Sequence, residues 1–99
     1  MKKLLLITNP VTAKAILSPH LIDIIDIFIK GGYDVTTYVT QHKDDTHRVA
    51  WEMGGEYDTV VCAGGDGTLN GCISGVLNLG KKPVLGYIPS GTTNDFANS

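Results

Sequence analysis

Short apolar runs alternating with segments of helical periodicity constrain this chain more than any other feature. Lys3 to Thr8 is a continuous apolar run, the pattern of a strand covered on both faces, and Asn9-Pro10 ends it. Asp58 to Ala63, with Val60, Val61 and Cys62 at its centre, has the same character, and Pro83 to Ile88 reads as a further strand. Asp34 to Thr40, rich in Val, Thr and Tyr, completes a set of four. Between them lie helical patterns. In Ser18 to Lys30, Ser18 is placed to cap and Pro19 to occupy the first turn. Leu21, Ile22, Ile24, Ile25, Phe28 and Ile29 form its apolar face and Gly31-Gly32 its stop. Thr46 to Met53 and Thr68 to Leu79 are two more helices, and Thr93 begins another. This order predicts an α/β fold of three layers, α/β/α, with a mostly parallel sheet. Such sheets bind ligands at the carboxyl ends of their strands.

Composition narrows the class of protein. Ninety-nine residues leave room for one compact core, and 42% hydrophobic content with a net charge of −2 excludes a disordered chain. No run approaches the eighteen apolar residues of a membrane span, and no basic stripe is present to track a phosphate backbone, so nucleic acid is not an expected partner. The apolar start, Met1 to Ile7, is cut by Thr8-Asn9-Pro10 before it reaches the length of a signal-peptide core, and reads as a first strand. Cys62 and Cys72 lack the spacing of a zinc or redox site and read as two reduced core thiols of a cytoplasmic protein.

Gly64-Gly65-Asp66-Gly67-Thr68 stands between a buried strand and a helix. Glycines there permit positive φ and leave no Cβ to block close approach, so main-chain N–H groups can face an anion together with the positive end of the following helix. Asp66 repels phosphate directly; a magnesium bridge and a loop brace are the two roles open to it. A tight strand-to-helix turn without ligand is the plain alternative. Pro89 to Phe96 follows the last strand at the same edge of the sheet, where Gly91 and Thr92 offer backbone access and a hydroxyl, and Thr93 or Asn94 a helix cap. Asn9 is placed either to hold a ribose or phosphate or to brace the turn before Pro10, and Thr40 ends the second strand on the same rim.

Other chemistry-bearing residues point elsewhere. His42 and His47 are five apart, which on a helix separates their directions by about 140°. With Asp44 and Asp45 they read as a solvated loop with a capping carboxylate rather than a metal site, and no metal ligand set is assigned. Trp51 is expected to pack its helix onto the sheet, and His20 to be a surface polar residue. Lys14 is equally a phosphate contact or an ordinary solvated lysine. No Ser-His-Asp pattern and no Walker-type loop is present.

Gly64 to Asn70 together with Pro89 to Ala97 resembles the catalytic domain of the diacylglycerol kinase family, of the bacterial soluble type, within a superfamily that includes NAD kinases and phosphofructokinases. The resemblance runs the whole chain, from the first strand with Asn9-Pro10 to Gly91-Thr92-x-Asn94-Asp95-Phe96. It implies a phosphofructokinase-like N-terminal half-domain over 1–99, the nucleotide-binding half of a lipid kinase. ATP and Mg2+ are its implied cofactors, with transfer of the γ-phosphate to a lipid hydroxyl such as that of diacylglycerol. Carried over by position, Asn9, Thr40, Gly64, Gly65, Asp66, Gly67, Thr68, Asn70 and Thr92 line the nucleotide site, with Asp66 positioning magnesium and phosphate. Family members continue into a β-rich second domain that holds the lipid pocket and the general base, so the 99-residue chain alone is expected to be inactive. In the intact protein the resemblance implies peripheral contact with the inner face of the membrane, and exposed apolar surface makes a homo-oligomer an expected partner state. Two other readings are carried: a non-catalytic nucleotide-binding or assembly module, and a kinase for a soluble substrate such as NAD, which Gly91 to Phe96 disfavours. The chain departs from the family at Ala13, where a glycine is usual, and at Gly71, where a glutamate is usual.

Overall fold

The structure is a computed structural model that describes residues 1–14, 18–42 and 45–89. Four strands, β1 (Lys2–Thr8), β2 (Tyr33–Val39), β3 (Thr59–Gly64) and β4 (Val84–Pro89), form one sheet in the order β2-β1-β3-β4. Every pairing is parallel: Leu4 lies opposite Val35 on one side and Thr59 on the other, and Thr59 lies opposite Val84. Helices α1 (Pro10–Thr12), α2 (Leu21–Lys30), α3 (Asp45–Met53) and α4 (Asp66–Leu77) fill the connections.

The alternation of side chains along a strand divides the core in two. Leu5 and Ile7 of β1 and Val60 and Cys62 of β3 face one way, against Val49 and Ala50 of α3 and Cys72 and Val76 of α4. Leu4, Leu6, Val61 and Ala63 face the other way, against Leu21, Ile24 and Phe28 of α2. The three-layer α/β/α architecture expected from the sequence is therefore the one observed. β1 and β3 are central and covered on both sides, which is why Leu4 to Ile7 and Val60 to Ala63 are apolar without a break. From β1 the chain steps one way to β2, then back across to β3 and on to β4. With a common right hand to every crossover, that reversal places α2 on one face and α3 with α4 on the other.

Several local expectations are corrected. The predicted helix from Ser18 opens as a 3-10 turn over Ser18–His20, and α2 starts at Leu21 with His20 at its cap and no side-chain cap bond. Ile22 and Ile29 are exposed, so the apolar face of α2 is narrower than the isoleucine-rich sequence suggests. Trp51 is 54% exposed and does not pack α3 onto the sheet; Val49 and Ala50 do. Gly32, at φ 94°, takes the left-handed conformation that ends α2. Cys62 and Cys72 are not separate thiols but are joined as a disulfide, both fully buried, because α4 packs directly on β3. No described helix is long and apolar enough to cross a membrane. The second loop, from Ser90 through Phe96, and the helix expected from Thr93 lie outside the described residues.

Candidate functional site

Because β1 and β3 are neighbours whose outgoing connections run in opposite directions, a cleft opens beyond their carboxyl ends. Asn9 and Gly65 stand at its two sides. The Asn9 side chain accepts the Thr12 N–H at 2.8 Å, capping α1, and its amide nitrogen reaches across to donate to Thr68 Oγ1 at 3.5 Å. Asn9 is thus a brace between β1 and α4. On the other flank the Thr40 N–H donates to the Thr8 carbonyl at 2.7 Å, which holds buried Thr40 at the rim. The cleft encloses about 530 Å³, and its walls include Asn9, Thr40, His42, Gly65, Gly67 and Thr68.

The glycine turn is tighter than the sequence predicts. α4 begins at Asp66, two residues early, with Gly65 as its cap at φ −86°, ψ −168° and no side-chain cap bond. Positive φ is not used here: among the described residues only Gly32 has it. The glycines instead make room. A Cβ on Gly64 would lie 2.5 Å from Thr68 Oγ1, so Gly64 lets the turn close on Thr68. A Cβ on Gly65 or Gly67 would meet nothing within 4 Å, so these two leave bare backbone facing open space. The first intrahelical bond runs from the Leu69 N–H to the Gly65 carbonyl at 3.1 Å, which leaves the N–H groups of the first turn directed outward without a helical acceptor. The helix adds partial positive charge at the same place.

Of the residues singled out in the sequence, Asn9, Thr40, Gly65, Gly67 and Thr68 come together on the walls of this cleft. Gly64 lies behind the wall and Asp66 is exposed beside it. Asn70 lines a neighbouring hollow of about 510 Å³ between α3 and α4, which shares Thr46 and Gly67 with the first. Thr92 lies outside the described residues. Gln41, His42 and Thr46 also line the cleft and were missed; they follow β2, and extending the carboxyl-end rule past Thr40 would have found them. Gly71 faces α3: a Cβ there would stand 3.3 Å from Thr46 Cβ, so the glycine lets the two helices close together.

The loop after β2 is held by Asp45, the capping carboxylate expected in this stretch. Its Oδ2 accepts the N–H groups of Gln41 at 2.8 Å and His42 at 3.0 Å, and its Oδ1 faces Arg48. The Gln41 N–H above all, then that of His42 and the Arg48 guanidinium, hold the Asp45 carboxyl below its usual value against the opposing effect of burial. Arg48 is in turn held above its ordinary value by the Tyr38 hydroxyl first, then by Glu52 and Asp45. Asp44 lies outside the described residues.

A parallel α/β domain with a glycine-floored helix start at its topological switch point has the arrangement at which open α/β sheets commonly take ligands. Comparison with known proteins makes the class specific. The diacylglycerol kinase catalytic domain family matches residues 3–99, and the chain belongs to that family. It is 40% identical over 98 residues to a diacylglycerol kinase of Bacillus subtilis (strain 168), covering 98% of this chain and 32% of that protein. It is 38% identical over 96 residues to one of Staphylococcus saprophyticus, covering 96% of this chain and 32% of that protein. The crystal structure of a diacylglycerol kinase from Bacillus anthracis str. Sterne superposes with a TM-score of 0.78 at 32% identity, over 98% of this chain and 36% of that one. The chain spans about a third of the length of the curated relatives it matches.

Proposed function

We propose that residues 1–99 are the nucleotide-binding half of a lipid kinase. ATP lies in the cleft between β1 and β3 with its phosphates on the glycine turn. In the full-length enzyme the γ-phosphate passes to a lipid hydroxyl such as that of diacylglycerol. The observation that carries this reading is the bare backbone at Gly65 and Gly67, facing open space at the uncapped start of α4. Asn9, Thr40 and Thr68 complete the walls, and Asn70 lines the hollow that adjoins them. Phosphoryl transfer requires positioning and charge neutralisation more than covalent chemistry from the protein, and oriented N–H groups supply both.

Magnesium fits this arrangement as a companion of the nucleotide. Among the described residues no group of three His, Cys, Asp or Glu side chains is placed to hold a metal. Phosphate oxygens and water would therefore supply most of its ligands, with the Asp66 carboxylate as the protein's contribution. A second, β-rich domain supplies the lipid pocket and the general base, and brings the protein to the membrane surface peripherally.

The test is calorimetric titration of Mg-ATP against the chain and against Gly65→Asp. The new side chain has space, since nothing lies within 4 Å of its Cβ, so the fold is kept while a carboxylate faces the phosphates. Binding by the parent and its loss in the variant supports the site; equal binding by both sinks it.

A further inference from the structure

Tyr87 is absorbed by no part of the reading above, and it does something specific. It lies in β4 directly opposite Cys62 of β3, and its ring packs against the core cluster that contains Cys62 and Cys72. From there its hydroxyl reaches along the sheet and donates to the Gly64 carbonyl oxygen at 2.8 Å. A side-chain hydroxyl from the neighbouring strand thus serves the last carbonyl of β3, where the chain turns into α4. That carbonyl and the Gly65 N–H belong to one planar trans peptide and point in opposite directions. Fixing the oxygen on the Tyr87 side aims the Gly65 N–H the other way, and Gly65 lines the cleft. A hydrogen bond to the oxygen also polarises the peptide and makes its N–H a stronger donor.

We infer that Tyr87 is a positioning residue for the phosphate end of the cleft: through the Gly64 carbonyl it orients and polarises the Gly65 N–H toward a bound polyphosphate. The inference rests on the nucleotide reading and adds a residue outside the glycine turn to it. It predicts a loss that follows the phosphates of the ligand and spares the rest.

The experiment titrates Mg-ATP, inorganic tripolyphosphate and adenosine against the 99-residue chain, Tyr87→Phe and Tyr33→Phe. The last removes a hydroxyl at the start of β2, at the opposite end of the sheet from the cleft. For Tyr87→Phe, ATP and tripolyphosphate affinity is expected to fall about fivefold, the worth of one net hydrogen bond. Adenosine affinity is unchanged, and the Gly65 amide resonance shifts. Tyr33→Phe binds all three as the parent does. A second variant carrying 3-fluorotyrosine at position 87 keeps the ring packing, strengthens the hydroxyl as a donor and binds tripolyphosphate more tightly than the parent. Unaltered phosphate affinity in both position-87 variants, or an equal loss for adenosine, overturns the positioning role while the nucleotide reading stands. Failure of the parent to bind either ATP or tripolyphosphate removes the nucleotide reading and this inference with it.

Discussion

Replacing Gly75 by alanine sets a methyl carbon 2.6 Å from the His47 carbonyl oxygen, 2.8 Å from Ala50 Cβ and 3.1 Å from the Trp51 nitrogen. The first and third of these are backbone atoms and the second is a Cβ fixed to the backbone, so no side chain can swing away. Helix α3 must withdraw by about 0.5–1 Å to restore ordinary contact. That movement lifts Val49 and Ala50 from the core they share with Cys72 and Val76. Overpacking of this kind costs about 1–3 kcal/mol. Alanine recovers about 1 kcal/mol of helix propensity, so the expected net loss is about 1–2 kcal/mol. Gly71, one turn earlier, provides the internal comparison: its Cβ would meet Thr46 Cβ at 3.3 Å and the His47 nitrogen at 3.4 Å. There a shift of a few tenths of an ångström suffices and the propensity gain offsets it, which makes Gly71→Ala close to neutral. Urea unfolding of both variants reads the difference directly, and melting should fall by about 4–8 °C for each kcal/mol lost. A Gly75→Ala protein as stable as Gly71→Ala would refute the claim that backbone contact between α3 and α4 selects this glycine.

Three further outcomes follow from the same geometry. Asp45→Asn destabilises the chain at neutral pH; because the Asp45 carboxyl is held below its ordinary value, its contribution is complete above about pH 4 and fades as pH falls through the depressed value. Unfolding curves of parent and variant should therefore converge in acid, and a gap that widens there contradicts the assignment. Gly32→Ala meets no atom within 4 Å, yet its φ of 94° predicts a loss of about 1–2 kcal/mol from backbone strain alone, read by the shift in urea midpoint. Reducing the Cys62–Cys72 link is expected to lower stability by about 2–3 kcal/mol, measured with and without reductant, while alkylation of the buried sulfurs proceeds only as the chain unfolds.

What the sequence disclosed and what it hid divide along a physical line. β1 and β3 were legible because a strand buried on both faces must be apolar throughout, and the glycine turn because few other sequences close so tightly on a helix start. Asn9, Thr40, Gly65, Gly67 and Thr68 were legible as glycine and small polar positions at strand carboxyl ends and through the family resemblance. Features set by the packing of one element on another were not legible. The Cys62–Cys72 pairing depends on how α4 sits on β3, and the exposure of Trp51 and Ile22 on the angles at which α3 and α2 meet the sheet. The early start of α4 escaped because its cap, Gly65, carries no side chain to announce it. Tyr87 escaped because its hydroxyl acts across the sheet, on a carbonyl that no sequence pattern marks.

The central place of β1 has a consequence for how the chain is assembled. Leu4 is paired on one side with Val35 and on the other with Thr59, and no two strands of the sheet are joined by a hairpin. The earliest strand therefore finds no local partner: its first neighbour lies beyond α2 in the chain, and its second beyond α3. Parallel pairing across such separations closes long loops before any contact rewards them, so folding should be slow for a domain this small. Until β3 arrives, Leu4 to Ile7 remain an adhesive apolar strip with one flank open, which makes partially synthesised chains the aggregation-prone species.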